Sequence, residues 1–471
     1  MQFRSMFNKV DDRTIALLRE AVGDDGILVS EEDRTIYGHD ETEDLRHPPE
    51  VVVRPLTTAQ VASIVRICAQ KTIPITPIGG RTGLSGGALS VHGGVGLALD
   101  RMNKIIGIDE KNLQVTVQPG VITQVLQEAV AAKGLYYPPD PSSRGSCTIG
   151  GNLAENAGGP RAVKYGVTRD YVLDLEVVLA DGSIIHTGAR TLKNSTGYDL
   201  TRTVVGSEGT LGIITEAVLR LVPHPKESRL MLVPFSSARR ACEAVSAVFR
   251  AGITPSALEF MERDSIDWTL RYIEGITVPV SDDVKAHLLI EIDGTHLDGI
   301  MKDCETVLSV MEAHESGEVL FAETTLEKDA LWKLRRNVAV AVKANSVYKE
   351  EDTVVPRFAL PELLEGVKSI GARYGFQSVC YGHAGDGNLH VNIIKGELSD
   401  DFWKNELPHA IREIFQLTVS LGGTLSGEHG IGLVQRPYME IAFDRRQLEL
   451  MRAIKHAFDP QGIMNPGKVL P

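Results

Sequence analysis

The chain lacks several features that would fix its chemistry at once. Its five cysteines, Cys68, Cys147, Cys242, Cys304 and Cys380, lie far apart with no Cys-x-x-Cys pair among them. That excludes a zinc or iron–sulfur cluster built on close spacing and fits reduced thiols. No long run of lysine and arginine occurs and the formal net charge is -13, whereas a protein that neutralises nucleic-acid phosphates needs the opposite balance. No segment approaches the roughly 20 uninterrupted apolar residues that span a bilayer. Met1 to Asp12 is charged early, where a signal peptide would be apolar. The expected location is therefore cytoplasmic, with peripheral membrane association left open and no nucleic-acid partner. No Gly-x-Gly-x-x-Gly is present, so a Rossmann dinucleotide site is not expected. Internal repeats and low-complexity segments are absent too.

What is there fits a globular protein of two or three domains: 471 residues, 43% hydrophobic and 24% charged. Ile15, Leu17, Leu18 and Val22 have near-helical spacing in an N-terminal segment, 1–46. From Val51 short β-rich runs (Val51–Val53, Ile73–Ile75, Val95–Leu99, Val115–Val117) alternate with helical stretches (Thr58–Gln70, Ile122–Ala132), which predicts an α/β or α+β domain over 47–224. After Pro223-His224-Pro225 the helices lengthen and glycines thin out, marking a second domain over 225–430. Residues 431–471, with the amphipathic helix Arg446–Phe458, form a C-terminal segment expected to pack back on the first domain.

Glycine concentrates in three loops of the first domain. The first runs Gly79-Gly80-Arg81-Thr82-Gly83-Leu84-Ser85-Gly86-Gly87, where a strand gives way to a loop that aims N–H groups at an anion. The second pairs Pro141-Ser142 with Thr148-Ile149-Gly150-Gly151-Asn152 and Gly158-Gly159, and the third is Gly206 to Thr215, including Ile214. Three such loops point to one large ligand threaded across the domain. Gly462 to Lys468 matches the start of a phosphate-loop pattern, but Val469 replaces the required hydroxyl residue. Asn194-Ser195-Thr196 is read as a chance glycosylation match.

Two clusters in the C-terminal half carry chemistry. His383 and His390 flank a Gly-Asp-Gly turn, so as hairpin strands they face one another, with Asn392 on the face of His390. Ser426-Gly427-Glu428-His429-Gly430 adds a carboxylate and a third imidazole. Two histidines and a carboxylate suit a divalent zinc, manganese or iron ion with positions left open, so His383, His390 and Glu428 are the expected ligands.

These loops and motifs, in this order from about Val51 onward, resemble the FAD-linked oxidases and dehydrogenases of the vanillyl-alcohol-oxidase-like superfamily. The resemblance is nearest to the branch holding the glycolate oxidase flavin subunit, D-lactate dehydrogenase and D-2-hydroxyglutarate dehydrogenase. It implies an α+β fold with an FAD-binding domain, an α+β substrate (cap) domain and a C-terminal helical segment. By it, Gly79, Gly80, Arg81, Thr82, Gly83, Leu84 and Ser85 bind the FAD pyrophosphate. Pro141, Ser142, Thr148, Gly151, Asn152, Gly158, Gly159 and Ile214 line the rest of the cofactor. The first loop has no His for a covalent tether, and Cys147 reads as a small buried thiol, so FAD is expected to be non-covalent.

The resemblance also implies that the ligand positions hold the metal, that His429 is the base, and that Arg335 on the helix Leu331 to Asn337 binds the substrate carboxylate. Asn392 and Lys349 complete the expected catalytic set, Lys349 as a second cation. Relatives acting on a dicarboxylate carry a hydroxyl residue one turn after the arginine, where this chain has Ala339. The implied reaction is oxidation of a small D-2-hydroxy acid (D-lactate-like, glycolate or D-2-hydroxyglutarate), Ala339 favouring a monocarboxylate. Electrons then pass to a separate acceptor: a quinone, cytochrome, electron-transfer flavoprotein or iron–sulfur subunit. Homodimeric assembly stays open. Alternatives are an oxidase using molecular oxygen, an ether-lipid synthase on the same scaffold, a non-redox metal enzyme binding another nucleotide, and a flavin-free structural subunit.

Overall fold

The computed structural model describes residues 6–43, 45–275, 278 and 280–471. The first five residues of the N-terminal segment and Asp44 therefore lie outside the described residues. The chain forms two compact units: one contains the chain through Ala157, Val167–His224 and Glu428–Pro471, the other Gly158–Gly166 and Pro225–Gly427.

In the first unit, helix Asp12–Val22 starts where the Asp11 carboxylate accepts the Thr14 N–H, and buries Leu18 and Val22 one turn apart. Strands β1 (Ile27–Leu28), β2 (Val51–Val53), β3 (Ile75–Ile78) and β4 (Val95–Ala98) pair in the order β1-β2-β4-β3. Both β2 and β3 run parallel to β4. Helix Thr58–Lys71 carries the chain from β2 to β3, on the two sides of β4; Thr57 caps it and it buries Val61, Ile64, Val65 and Cys68. Each such aliphatic side chain contributes about 1.5–3 kcal/mol of burial. Sequence patterning places β3 two residues early, at Ile73; the Ile73 N–H instead closes the preceding helix on Cys68 O.

A second, antiparallel sheet holds β5 (Ile105–Asp109), β6 (Gln114–Val117), β8 (Val172–Val178), β9 (Ile184–His186) and β10 (Ile213–Arg220), in the order β5-β6-β10-β8-β9. β7 (Leu135–Tyr136) pairs with β11 (Val222–Pro223). The C-terminal tail joins this unit through β3: Ile75 N–H donates to Ile463 O at 2.8 Å and Asn465 N–H to Ile75 O at 2.8 Å.

The second unit is built on seven strands, β12 (Glu227–Phe235), β13 (Ala257–Glu262), β14 (Ala286–Gly294), β15 (Leu320–Ala322), β16 (Tyr348–Val354), β17 (Gln377–Gly382) and β18 (Asn388–Ile394). Their order is β15-β12-β14-β13-β17-β18-β16, with every neighbouring pair antiparallel. Helices Thr325–Arg336 and Val338–Asn345 bring Leu331, Trp332, Leu334, Val338 and Val342 onto Met261, Leu289 and Tyr381 of the sheet.

Gly158–Gly166, expected within the first domain, packs with the second unit for a charge reason. Arg161 pairs with Glu291 at 3.1 Å, Lys164 with Asp293 at 2.5 Å, and the Tyr165 hydroxyl donates to Asp293 at 2.7 Å. Among the described residues no helix is long and apolar enough to cross a membrane. All five cysteines are buried and free.

Candidate active site

The first glycine loop leaves β3 against the second, and the approach is too close for side chains. A Cβ on Gly79 would stand 2.8 Å from Thr148 Oγ1, and one on Gly80 2.6 Å from Ser146 O. Gly83 faces open space, and Arg81 takes a left-handed φ of 60°. Among the described residues, no N–H from Gly79 to Ser85 has an acceptor within the chain, and the buried Ser85 hydroxyl has no partner. A run of unused amides in a glycine loop is the donor set a pyrophosphate requires, so these residues fit FAD.

The other expected cofactor residues divide. Thr148 caps the short helix Ile149–Glu155 through Gly151 N–H. The buried Asn152 is tied inward, its amide donating to Thr123 Oγ1 at 2.7 Å. Arg81 turns its guanidinium onto Ile36 O and the Tyr37 ring, so what this residue leaves free toward the loop is backbone. Pro141 is half-buried, Ser142 exposed, and Ile214 lies in β10 opposite Val177. Gly158 and Gly159 belong to the second unit.

His429 lies in the first unit, and two carboxyls that sequence reasoning passed over hold the segment after it. Glu208 accepts Ile431 N–H at 2.8 Å and Gly432 N–H at 2.7 Å. Half-buried Glu155 turns its buried Oε2 to the same turn, where a Cβ on Gly430 would stand 2.2 Å from it. Burial, then the Glu208 and Asp40 charges, pushes the Glu155 carboxyl well above the ordinary 4.5. Burial likewise raises Glu208, to about 6.

The folded state thus keeps protons that the unfolded chain releases above pH 4.5. The pair's stability is complete below that pH and falls as pH rises through about 6. Glu155→Gln, a neutral isostere, should raise the melting temperature at pH 8 by about 2–4 °C for each kcal/mol relieved and leave it nearly unchanged at about pH 4. Thermal melts at both pH values check this; equal shifts would contradict it.

In the second unit the β17–β18 hairpin sets Tyr381 opposite His390. The turn between them is closed by Gly387, at φ 76°, where a Cβ would stand 2.0 Å from Val355 O. The His383 and His390 rings lie 5.2 Å apart and nearly perpendicular, with a nitrogen of each within 4.8 Å of the other. His383 Nδ1 sits 2.8 and 2.9 Å from the two oxygens of Glu259 on β13, a wholly buried carboxylate with no signature in the sequence. A carboxylate on one ring nitrogen fixes the tautomer and leaves Nε2 as a lone-pair donor, the usual outer shell of a metal-bound histidine. The donor chemistry therefore fits a divalent ion.

Glu259 also pairs with Arg335 Nη2 at 2.8 Å, and Arg335 lies over the Tyr381 ring at 4.8 Å. Arg335 is 4% exposed. Beyond that ion pair, neither its buried Nε nor its buried Nη2 has a hydrogen-bond partner among the described residues. On β16, Glu350 accepts the Tyr381 hydroxyl at 3.1 Å, and Asp352 lies 3.5 Å from His390 Nδ1. Asp352 also accepts the Ser426 hydroxyl and the Gly427 N–H, each at 2.8 Å. Glu428 is the next residue along the chain. Asn392 is fully buried opposite Glu350.

Lys349 corrects an expectation. It pairs in register with Ile393, one residue out of phase with Glu350 and Asp352, so strand alternation turns its side chain to the other face of the sheet from Asn392 and His390. Ala339, partly buried, packs on the apolar cluster of Trp332, Leu334 and Val338.

A unit on a four-stranded and a five-stranded sheet with glycine-rich loops, and a unit on a seven-stranded antiparallel sheet, define the architecture of the vanillyl-alcohol-oxidase-like flavoproteins. The substrate-bound crystal structure of p-cresol methylhydroxylase shares it with a TM-score of 0.79 at 20% identity, covering 97% of this chain and 96% of that one. Residues 49–188 match the FAD binding domain family model, and residues 224–469 the model for the C-terminal domain of FAD linked oxidases.

The chain belongs to the FAD-linked oxidase family and is an FAD-dependent oxidoreductase. It is 42% identical to glycolate oxidase subunit GlcD of Bacillus subtilis (93% of this chain, 92% of that). It is 38% identical to D-lactate dehydrogenase of Anaerostipes hadrus (98% of each).

Non-covalent attachment should show as free flavin after acid or heat precipitation. The first loop offers no histidine, and the Cys147 thiol is 3% exposed and raised by burial. Yellow colour retained by the washed polypeptide would refute it.

Proposed function

We propose that this protein oxidises a small D-2-hydroxy monocarboxylate, of the D-lactate or glycolate kind, to the 2-oxo acid and passes the electrons to a separate acceptor. One observation carries the reading: a buried guanidinium, Arg335, whose Nε and Nη2 have no hydrogen-bond partner among the described residues, shares a single carboxylate with His383, itself facing His390. A guanidinium reads a substrate carboxylate. An imidazole pair beside it suits the neighbouring hydroxyl. We take Glu428 as the third ligand with His383 and His390; it follows Gly427, whose N–H Asp352 accepts.

Bound zinc, manganese or iron would supply Lewis acidity toward the hydroxyl oxygen, and bound FAD would supply hydride acceptance. The protein's own groups do the rest. Arg335 fixes the carboxylate and with it the face of Cα, His429 takes the hydroxyl proton as base, and Asn392 orients the substrate. Ala339 offers no hydrogen bond to a second carboxylate, which supports a monocarboxylate over 2-hydroxyglutarate. The names of the 42% and 38% identical relatives support the same class. A quinone, a cytochrome, an electron-transfer flavoprotein or an iron–sulfur subunit fits as acceptor.

The test is anaerobic mixing of the yellow protein with a panel of D- and L-2-hydroxy acids while the flavin absorbance is followed. Rapid bleaching by D-lactate or glycolate and not by L-lactate is expected. Flavin that no 2-hydroxy acid bleaches would overturn the proposal.

A further inference from the structure

Building on that reading, we propose that Glu259 is a positioning residue that couples the metal-binding histidine to the carboxylate-binding arginine. It sits on β13 inside the sheet, between β14 and β17, with its side chain 0% exposed. A carboxylate in that setting is kept only by partners that need it. It has two, and they belong to different tasks.

Both Glu259 oxygens lie within 2.9 Å of His383 Nδ1, which must therefore carry the ring proton and leave Nε2 to face a metal. The same Oε2 stands 2.8 Å from Arg335 Nη2. The guanidinium also lies over the Tyr381 ring, 4.8 Å from its centroid. Beyond that ion pair neither Nε nor Nη2 has a hydrogen-bond partner among the described residues, which leaves guanidinium donors for a substrate carboxylate. One anion thus sets both the direction of a ligand lone pair and the direction of a substrate donor. Its loss should be felt in both places at once.

The experiment uses FAD-loaded protein stripped with a chelator and titrated with Zn²⁺ alone against a fluorescent chelator, before any substrate is added. Glu259→Gln preserves volume and removes the charge. Zn²⁺ affinity should fall about 10–100-fold, and KM for D-lactate should rise as well. Flavin absorbance and the melting curve report whether the variant folds. The charge-balanced double variant Glu259→Gln/Arg335→Met repeats the titration with no uncompensated buried charge, and carries the test if the single variant does not fold.

Zn²⁺ binding still weakened in the double variant supports positioning of His383. Parent-like affinity in Glu259→Gln, or its recovery in the double variant, would show that Glu259 merely balances Arg335 and would overturn the inference. Failure of the parent itself to bind Zn²⁺ or Mn²⁺ is a separate result, seen before any mutation, and it removes the metal reading together with the role assigned to Glu259.

Discussion

Replacing His390 by alanine should strip the bound metal and stop substrate-driven flavin reduction, whereas His429→Ala should keep both FAD and metal and reduce flavin about 10²–10⁴-fold more slowly. His390 is buried, paired across the hairpin with Tyr381, and perpendicular to His383, so its deletion removes one of the proposed donors. His429 belongs to the segment that Glu208 holds through the Ile431 and Gly432 amides. Its loss should leave that segment in place and remove only the proton acceptor. Metal analysis and single-turnover reduction on the same two proteins separate the roles. Metal lost from His429→Ala would move that residue into the ligand set. A His390→Ala protein with full metal and normal reduction would end the metal site as drawn.

The second large effect concerns Arg335. A lysine there keeps one positive charge but cannot cover Tyr381, pair with Glu259 and offer a further donor to substrate all together. A lost charge-assisted hydrogen bond to a carboxylate is worth about 1.5–3 kcal/mol. Arg335→Lys should therefore raise KM for D-lactate roughly 10–100-fold, with kcat changed less. Steady-state kinetics with a quinone-like dye as acceptor would show it. An unchanged KM would leave Arg335 as the counter-ion of Glu259 and nothing more.

The features that sequence made legible are those with a local cause. Gly79, Gly80 and Gly209 are glycines because a side chain there would strike Thr148, Ser146 or Pro77, and such constraints cluster visibly along the chain. The hairpin of His383 and His390 was legible because its turn and both strands lie within a few residues. Glu259 was not, since it reaches His383 across 124 residues from a strand whose neighbours are apolar or buried. The second unit's hold on Gly158–Gly166 rests on Glu291 and Asp293, equally remote. Lys349 shows a different failure. Its charge suits the resemblance, but its phase along β16 is opposite to that of Glu350 and Asp352.

Gly462 to Lys468, set aside as a phosphate loop, has a structural task. The Asn465 amide donates to Gly87 O at 2.9 Å and to Glu208 O at 2.8 Å, and the Lys468 ammonium donates to Leu89 O. The tail therefore fastens two of the three glycine loops to β3.

That fastening has a consequence for how the polypeptide is made. The partner of Ile75 in the first unit is translated almost four hundred residues after it, once the whole of Pro225–Gly427 has left the ribosome. The inserted unit has its entire seven-stranded sheet in hand by then and can close its core during synthesis. The flavin-binding unit cannot, because the free edge of β3 waits for Ile463 to Asn465. Until those residues emerge, the nascent chain holds the inserted unit complete and the flavin-binding unit with an exposed strand, the stage at which a chaperone has most to protect.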